Sequence, residues 1–212
     1  VLPLDKSPLP SFYLQNLFSF LNLGLAGFVL SAIAVRFIYP SISIEGNSFW
    51  IIKSSPISAE DFLKEKFLAG VLPIFFLAEI LIIVSNYLLR VESYMMIIST
   101  LTIAFLSLGI VSIGIGVGVL YPQFKYENVS QISTGFGGLI FMIISIICIG
   151  LVVLLEARPV YYIFISHTRG IPLTTFQVVD IIICFLLTFV LILTMIFLPF
   201  KIAKEKIEQL EI

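Results

Sequence analysis

Long apolar stretches alternate with short polar connections along this chain. A helix needs about 20 mostly apolar residues to cross roughly 30 Å of hydrocarbon, and five stretches reach that length. They cover approximately residues 14–37, 67–89, 94–120, 135–155 and 178–200. The pattern therefore predicts an all-α fold, a polytopic bundle of about five spanning helices.

The longest connection, residues 38–66, is too apolar for a flexible linker and too charged to cross a membrane. The run that contains Trp50 and Lys53 predicts a short helix at the interface, where Trp is favoured. Ser58 and Asp61 then match a capping box and predict the start of the next helix. Two interpretations of the connection stay open, an amphipathic segment resting on the membrane or a docking element for a partner.

Composition excludes several classes of protein. Of the 212 residues, 59% are hydrophobic and 12% are charged, about half the charged share of an average soluble domain. Mean hydropathy is +1.14, so neither a soluble domain nor a disordered chain is expected. The net charge of −1 offers no basic field for nucleic acid. His167 has no partners at metal-ligand spacing, and neither a metal nor another cofactor is expected.

The basic residues divide unevenly between the two sides that five spans create. Eight lie on one side, namely Arg36, Lys53, Lys64, Lys66, Lys125, Lys201, Lys204 and Lys206. The other four are Lys6, Arg90, Arg158 and Arg169. The positive-inside rule predicts that the richer side is cytoplasmic, with the start of the chain outside and its end inside. The first residue, Val, and the odd span number favour a single transmembrane domain, residues 1–212, that is a piece of a longer chain.

Two features inside the spans bear on function or packing. Glu79 lies near the middle of the second span, where burial of a carboxylate costs about 2.5–3.5 kcal/mol. We expect it to face the bundle interior or a water-filled path, as an ion or proton site or as a structural hydrogen-bonding group. In the third span, Gly109, Gly114 and Gly118 predict close helix packing, and the last two form a GxxxG pair.

A short pattern occurs twice along the chain. Tyr39-Pro40 is followed by Glu45, and Tyr121-Pro122 is followed at the same interval by Glu127, about 82 residues later. Proline ends a helix, and a carboxylate after it can cap or pair nearby groups. The two copies indicate equivalent turns on one side of the membrane, as in a transporter built from structural repeats.

The segments RFIYPSISIEGNSFWIIKSSPIS (residues 36–58) and LYPQFKYENVSQISTGFGG (residues 120–138) resemble signature segments of ABC-type exporter permeases of bacteria. The resemblance implies a large integral membrane subunit, a permease of which this chain is the C-terminal part, that works with a separate ATP-binding cassette ATPase. It also implies that both segments lie at the cytoplasmic face where that ATPase acts. The partner-coupling residues expected from it are Glu45, Gly46, Trp50, Lys53, Glu127 and Asn128.

No GxxxxGK[ST] loop and no nucleophile–base pair or metal cluster occurs in the sequence. We therefore expect no catalytic residue in this chain and no enzyme activity of its own, with ATP hydrolysed by the partner. The leading hypothesis is the membrane-spanning permease subunit of an ABC exporter in the cytoplasmic membrane, possibly a homo- or heterodimer, with an unknown substrate. The alternative is a gradient-driven secondary transporter or channel that uses Glu79.

Overall fold

The computed structural model describes residues 11–46, 58–170 and 172–209, and these form seven helices and no strand. Five of the helices are long and apolar enough to cross a membrane, which confirms the predicted all-α fold. They are α1 (Ser11–Phe37), α3 (Ala59–Leu89), α4 (Ser93–Leu120), α6 (Phe136–Arg169) and α7 (Thr175–Gln209). Two short helices, α2 (Ser41–Ile44) and α5 (Val129–Thr134), lie in the connections.

Helix α4 is the centre of the bundle. In its most apolar window 78% of the residues are buried, whereas the corresponding share in the other long helices is between 22% and 39%. Each of those four helices packs against α4. Because every other long helix contacts α4, a displacement of α4 would change the packing of all of them.

The outer faces of the other helices are apolar and exposed. On α3, for example, Leu72, Phe76 and Ile80 follow one another at four-residue spacing and are all exposed. Residues four apart lie on one face of a helix, so these side chains form a continuous apolar stripe. A soluble protein rarely exposes such a stripe, whereas lipid contact explains it.

Local signals in the sequence explain where the long helices begin and end. The Ser58 hydroxyl oxygen accepts a hydrogen bond from the Asp61 backbone N–H (3.1 Å) and the hydroxyl donates to the Asp61 carboxylate (2.6 Å). This confirms the predicted start of α3, with Ser58 as its N-cap. Helix α6 ends at Gly170, whose φ of 63° lies in the left-handed region that glycine adopts without strain.

The two ends of the bundle are held by different contacts. We call the end formed by residues 38–46, 58–66, 121–134 and 201–209 the connector end. Lys204 of α7 and Glu60 of α3 meet there at 2.8 Å. At the far end, His167 of α6 lies 3.2 Å from Glu92, the residue before α4.

Helix α6 is longer than the predicted span of residues 135–155. It continues without interruption through Glu156, Arg158 and Pro159 to Arg169. The polar groups in this stretch have partners in neighbouring helices, since the Thr102 hydroxyl donates to Glu156 (2.7 Å) and Arg158 lies 3.7 Å from Asp180. Those partners are distant in sequence, so the apolar pattern alone did not indicate that the helix continues past residue 155.

Candidate functional site

The two copies of the Tyr-Pro pattern pack against each other at the connector end. The Tyr39 hydroxyl donates to the backbone carbonyl of Tyr121 at 3.2 Å, and these two residues occupy equivalent positions in the two copies. A second contact between the copies joins the Ser43 hydroxyl oxygen to the Gln123 backbone N–H at 3.0 Å. Segments that are 82 residues apart therefore form one unit, which we call the Tyr-Pro clasp (residues 39–46 and 121–128).

Tyr39 is the largest fully buried side chain of the Tyr-Pro clasp. Its side chain is fully buried, and its ring stacks on Phe141 of α6 with 6.5 Å between ring centroids. A methyl group on Gly118 of α4 would lie 2.7 Å from the Tyr39 carbonyl oxygen, and one on Gly137 of α6 would overlap the Tyr39 hydroxyl. Because Gly118 and Gly137 have no side chains, Tyr39 fits between α4 and α6.

Two of the expected coupling residues have contacts outside their own copy of the pattern. One contacts α3 and the other contacts the second copy. Glu45 forms an ion pair with Lys66 of α3. Gly46 lies directly against the ring of Phe124, so that any side chain at position 46 would collide with that ring. These contacts fix the end of the first copy both to α3 and to the second copy.

The remaining expected residues are placed differently. Glu127 has an exposed side chain, and its backbone N–H donates to the Gln131 side chain at 3.1 Å. Asn128 caps α5 by accepting a hydrogen bond from the Ser130 backbone N–H at 3.2 Å. The equivalence of Glu45 and Glu127 therefore does not extend to their side chains. Trp50 and Lys53 lie outside the described residues.

Charged side chains also lie on α3 and α7 at the connector end. The first turns of α3, residues 59–66, precede its apolar part and carry Glu60 and Lys64, which lie 2.7 Å apart. Hydrogen bonds from Lys204 and from Lys64 lower the pKa of the Glu60 carboxyl to about 2. Glu60 therefore stays ionised under all physiological conditions and links α3 to α7 at this end.

The glycines of α4 lie where other helices approach closely. Gly114 faces Ile38 in the turn after α1, and a methyl group at that glycine would lie 3.0 Å from the Ile38 side chain. Gly109 faces Met195 of α7 at the same distance, and Gly118 faces Tyr39 as described above. Their contacts are with the turn after α1 and with α7 rather than with one helix only.

Two carboxylates lie within the apolar part of the bundle. Glu79 is half-buried, and its Oε1 atom has no hydrogen-bond partner among the described residues. Glu156 is only 2% exposed, and sequence reasoning missed it because the predicted span ended one residue earlier. The nearest signal was the continued apolar run after Pro159, which extends the helical pattern beyond Glu156.

A polar network that the sequence did not indicate joins three helices. Asn86 of α3 is 1% exposed. Its side chain accepts a hydrogen bond from the Ser19 hydroxyl of α1 (2.7 Å) and donates one to the Ser99 hydroxyl oxygen of α4 (2.6 Å). Among the described residues no group of three or more His, Cys, Asp or Glu side chains could hold a metal ion.

A family model described as "Putative ATP-binding cassette" matches residues 2–212. The chain belongs to this family. The match places it among ATP-binding cassette proteins, and with five apolar helices it is an ABC-related membrane protein. Among curated proteins and among solved structures, nothing matches the chain.

The family match corrects one expectation from the sequence. The lack of a GxxxxGK[ST] loop predicts that the chain is not an enzyme. This prediction is wrong, because the family to which the chain belongs is an ATP-binding cassette family. The absence of one phosphate-binding loop excludes only nucleotide sites of that type. It was therefore not sufficient ground for excluding ATP chemistry from an ATP-binding cassette protein.

Proposed function

We propose that this chain forms the membrane-spanning part of an ABC exporter, and that the Tyr-Pro clasp is where an ABC ATPase subunit acts on it. The observation that carries the proposal is the packing of the two Tyr-Pro copies, joined by the Tyr39 hydroxyl and the Tyr121 carbonyl at 3.2 Å. Because this hydrogen bond joins the two copies, a displacement of one copy moves the other. The membership of the chain in the ATP-binding cassette family supports a role with ATP.

The distribution of basic residues supports a cytoplasmic position for the connector end. Eight of the 12 Lys and Arg residues belong to the side of the membrane that includes this end, and cytoplasmic loops carry such an excess. In this orientation the end of the chain is inside and its start is outside. The Tyr-Pro clasp then faces the compartment that contains ATP.

The buried contacts of the Tyr-Pro clasp provide a route for coupling. Tyr39 lies against Gly118 of α4 and Phe141 of α6, and α4 contacts every other long helix. Packed interiors have few voids and transmit displacement. Movement of the first copy, which contains Tyr39, therefore shifts α4 and α6 together, and with them the packing of the spanning helices.

The experiment is purification of the full-length protein from its native membrane in mild detergent, followed by an ATPase assay. We expect an ABC ATPase to co-purify and Glu45→Ala to change its activity at least threefold, because the substitution removes the ion pair with Lys66. Asp180→Asn is the matched control, since Asp180 is a carboxylate of α7 near Arg158 and away from the Tyr-Pro clasp. Equal ATPase rates in wild type and Glu45→Ala, with the ATPase still bound, would overturn the proposed coupling site.

The same preparation separates two sources of ATP hydrolysis. The full-length protein is assayed after removal of any co-purifying subunit and again after adding it back. We expect Glu45→Ala to change the rate of hydrolysis in the recombined complex by at least threefold. A rate in the recombined complex that is the same for wild type and Glu45→Ala would contradict the part assigned to the Tyr-Pro clasp.

A second candidate function rests on Glu79. Its half-buried carboxylate has an oxygen without a partner among the described residues, which suits a proton or ion site within a gradient-driven transporter. Transport in proteoliposomes with an ion gradient and no ATP would support this function if Glu79→Gln abolished it. ATP-dependent transport that survives Glu79→Gln would exclude it.

A further inference from the structure

A small cavity lies between α4, α6 and α7, within the apolar part of the bundle. Its volume is about 250 Å³. The wall is mainly apolar and aromatic, with only three polar side chains. The lining residues are Ile98, Leu101, Thr102, Phe105, Glu156, Phe185, Thr188, Phe189 and Ile192.

Both hydroxyl groups that line this cavity already donate their protons, whereas the oxygen atoms of the polar side chains can still accept hydrogen bonds. The Thr102 hydroxyl donates to Glu156 Oε1 at 2.7 Å, and the Thr188 hydroxyl donates to the Cys184 backbone carbonyl at 3.0 Å. Glu156 Oε2 is buried and has no hydrogen-bond partner among the described residues. A hydroxyl oxygen that donates its proton still has lone pairs, so all three side chains can accept from a ligand.

We propose that this cavity binds the primary ammonium group of a long-chain alkylamine, with Glu156 as its counter-ion. A primary ammonium carries three N–H donors and no acceptor, which complements a carboxylate and two hydroxyl oxygens. A buried carboxylate is costly unless it is paired, and the ammonium supplies that pair. The cavity lining contains no Lys or Arg, so the site does not favour a phosphate-bearing headgroup.

The size and position of the cavity determine how such a ligand would lie. Pockets for drug-sized ligands measure about 300–1,000 Å³, so this cavity accommodates the ammonium group and the first methylenes. Leu101, Phe105 and Phe189 of its wall are 54%, 40% and 49% exposed, on helices whose outer faces contact lipid. The alkyl chain of the ligand therefore passes out of the cavity between these side chains and lies in the hydrocarbon core of the membrane.

The test measures saturation binding of isotope-labelled dodecylamine to the full-length protein in phosphatidylcholine nanodiscs at pH 7, with empty nanodiscs subtracted. Partition into lipid is the same for every variant, so differences report the protein. We expect Glu156→Gln to weaken binding at least tenfold and Thr102→Val to weaken it severalfold. Asp180→Asn, a carboxylate substitution on α7 outside the cavity, should bind like wild type.

Two further probes separate charge from hydrogen bonding. Dodecyltrimethylammonium has the charge but no N–H donor, and dodecanol has one donor but no charge. We expect both to bind at least tenfold more weakly than dodecylamine. Equal binding of either probe would overturn the proposed recognition of a primary ammonium.

Folding of the variants does not limit the test. Thr102→Val is nearly isosteric and retains the Glu156 carboxylate, so it remains informative if Glu156→Gln proves poorly folded in a thermal unfolding assay. Wild-type affinity in a folded Glu156→Gln or Thr102→Val protein would overturn the proposal. The assay needs neither ATP nor a partner subunit, so its outcome is independent of the proposed coupling to an ATPase.

Discussion

The Tyr-Pro clasp and the Glu156 cavity both place polar groups among apolar helices, but they differ in what is left unsatisfied. In the clasp, the Tyr39 hydroxyl has a partner and its ring fills the space beside Gly137 and Phe141. In the cavity, Glu156 Oε2 has no partner among the described residues, and about 250 Å³ of space adjoins it. The clasp is therefore suited to transmitting a displacement and the cavity to receiving a ligand.

This difference has a consequence for how each region responds to substitution. A filled contact between backbones cannot accept an added atom without moving a helix. A cavity with an unpaired carboxylate can lose its charge with little cost to folding, because the charged form is the costly one there. Substitutions in the two regions should therefore separate stability from binding.

The largest effect is expected where the backbone of α4 lies against the backbone of the Tyr-Pro clasp. Gly118→Ala places a methyl group 2.7 Å from the Tyr39 carbonyl oxygen, and overpacking of this kind costs about 1–3 kcal/mol. Thermal unfolding in detergent measures the loss. Gly150→Ala is the matched control on α6, because nothing lies within 4 Å of a methyl group there. Equal unfolding temperatures for the two variants would contradict the assigned contact.

A smaller effect is expected when the clasp loses only its hydrogen bond. Tyr39→Phe keeps the ring against Phe141 but leaves the Tyr121 carbonyl without the hydroxyl donor. The expected destabilisation is about 0.5–1.5 kcal/mol, measured by denaturant unfolding. Tyr161→Phe, at an exposed position of α6, serves as the control. An unchanged midpoint for Tyr39→Phe would show that this hydrogen bond does not hold the two copies together.

The cavity is expected to respond in the opposite way. Glu156→Gln retains an oxygen that accepts from Thr102 and removes a buried charge, so stability should stay within about 1 kcal/mol of wild type or increase. Differential scanning calorimetry checks this, alongside the binding assay for dodecylamine. A loss of more than about 3 kcal/mol, the size expected for breaking a buried pair, would assign Glu156 a structural role instead.

The smallest effect is expected for the exposed charges beside the clasp. Lys204→Ala removes one of the two lysines that pair with Glu60, and exposed ion pairs are screened by salt. The change in unfolding temperature should be detectable only at low ionic strength. Because the Glu60 pKa is lowered to about 2, the contribution is present above about pH 5 and declines as the pH falls toward 2. A salt-independent change would contradict this assignment.

Local patterns predicted those parts of the fold that depend on neighbours in sequence. Apolar length indicated five spanning helices, and Ser58 with Asp61 marked the start of α3. The repeated Tyr-Pro pattern drew attention to Tyr39 and Tyr121, which meet in the structure. Repetition singled out these positions, although spacing alone could not tell that the two copies touch.

Features that depend on distant partners could not be predicted in this way. Glu156 of α6 lies inside the bundle, where it accepts a hydrogen bond from Thr102 of α4, a residue 54 positions earlier in the sequence. Asn86 is buried because α1 and α4 both supply serines to it. The assignments of Trp50 and Lys53 remain predictions, since both lie outside the described residues.

The most direct test of the proposed coupling site is photo-crosslinking in the native membrane. A photoreactive amino acid replaces Glu127, whose side chain is exposed beside the Tyr-Pro clasp, or Tyr161, which is exposed on α6 toward the far end. We predict a crosslink to an ABC ATPase subunit from position 127 and none from position 161. A crosslink from position 161 alone, or from neither position in a complex that still co-purifies with its ATPase, would contradict the proposed coupling site.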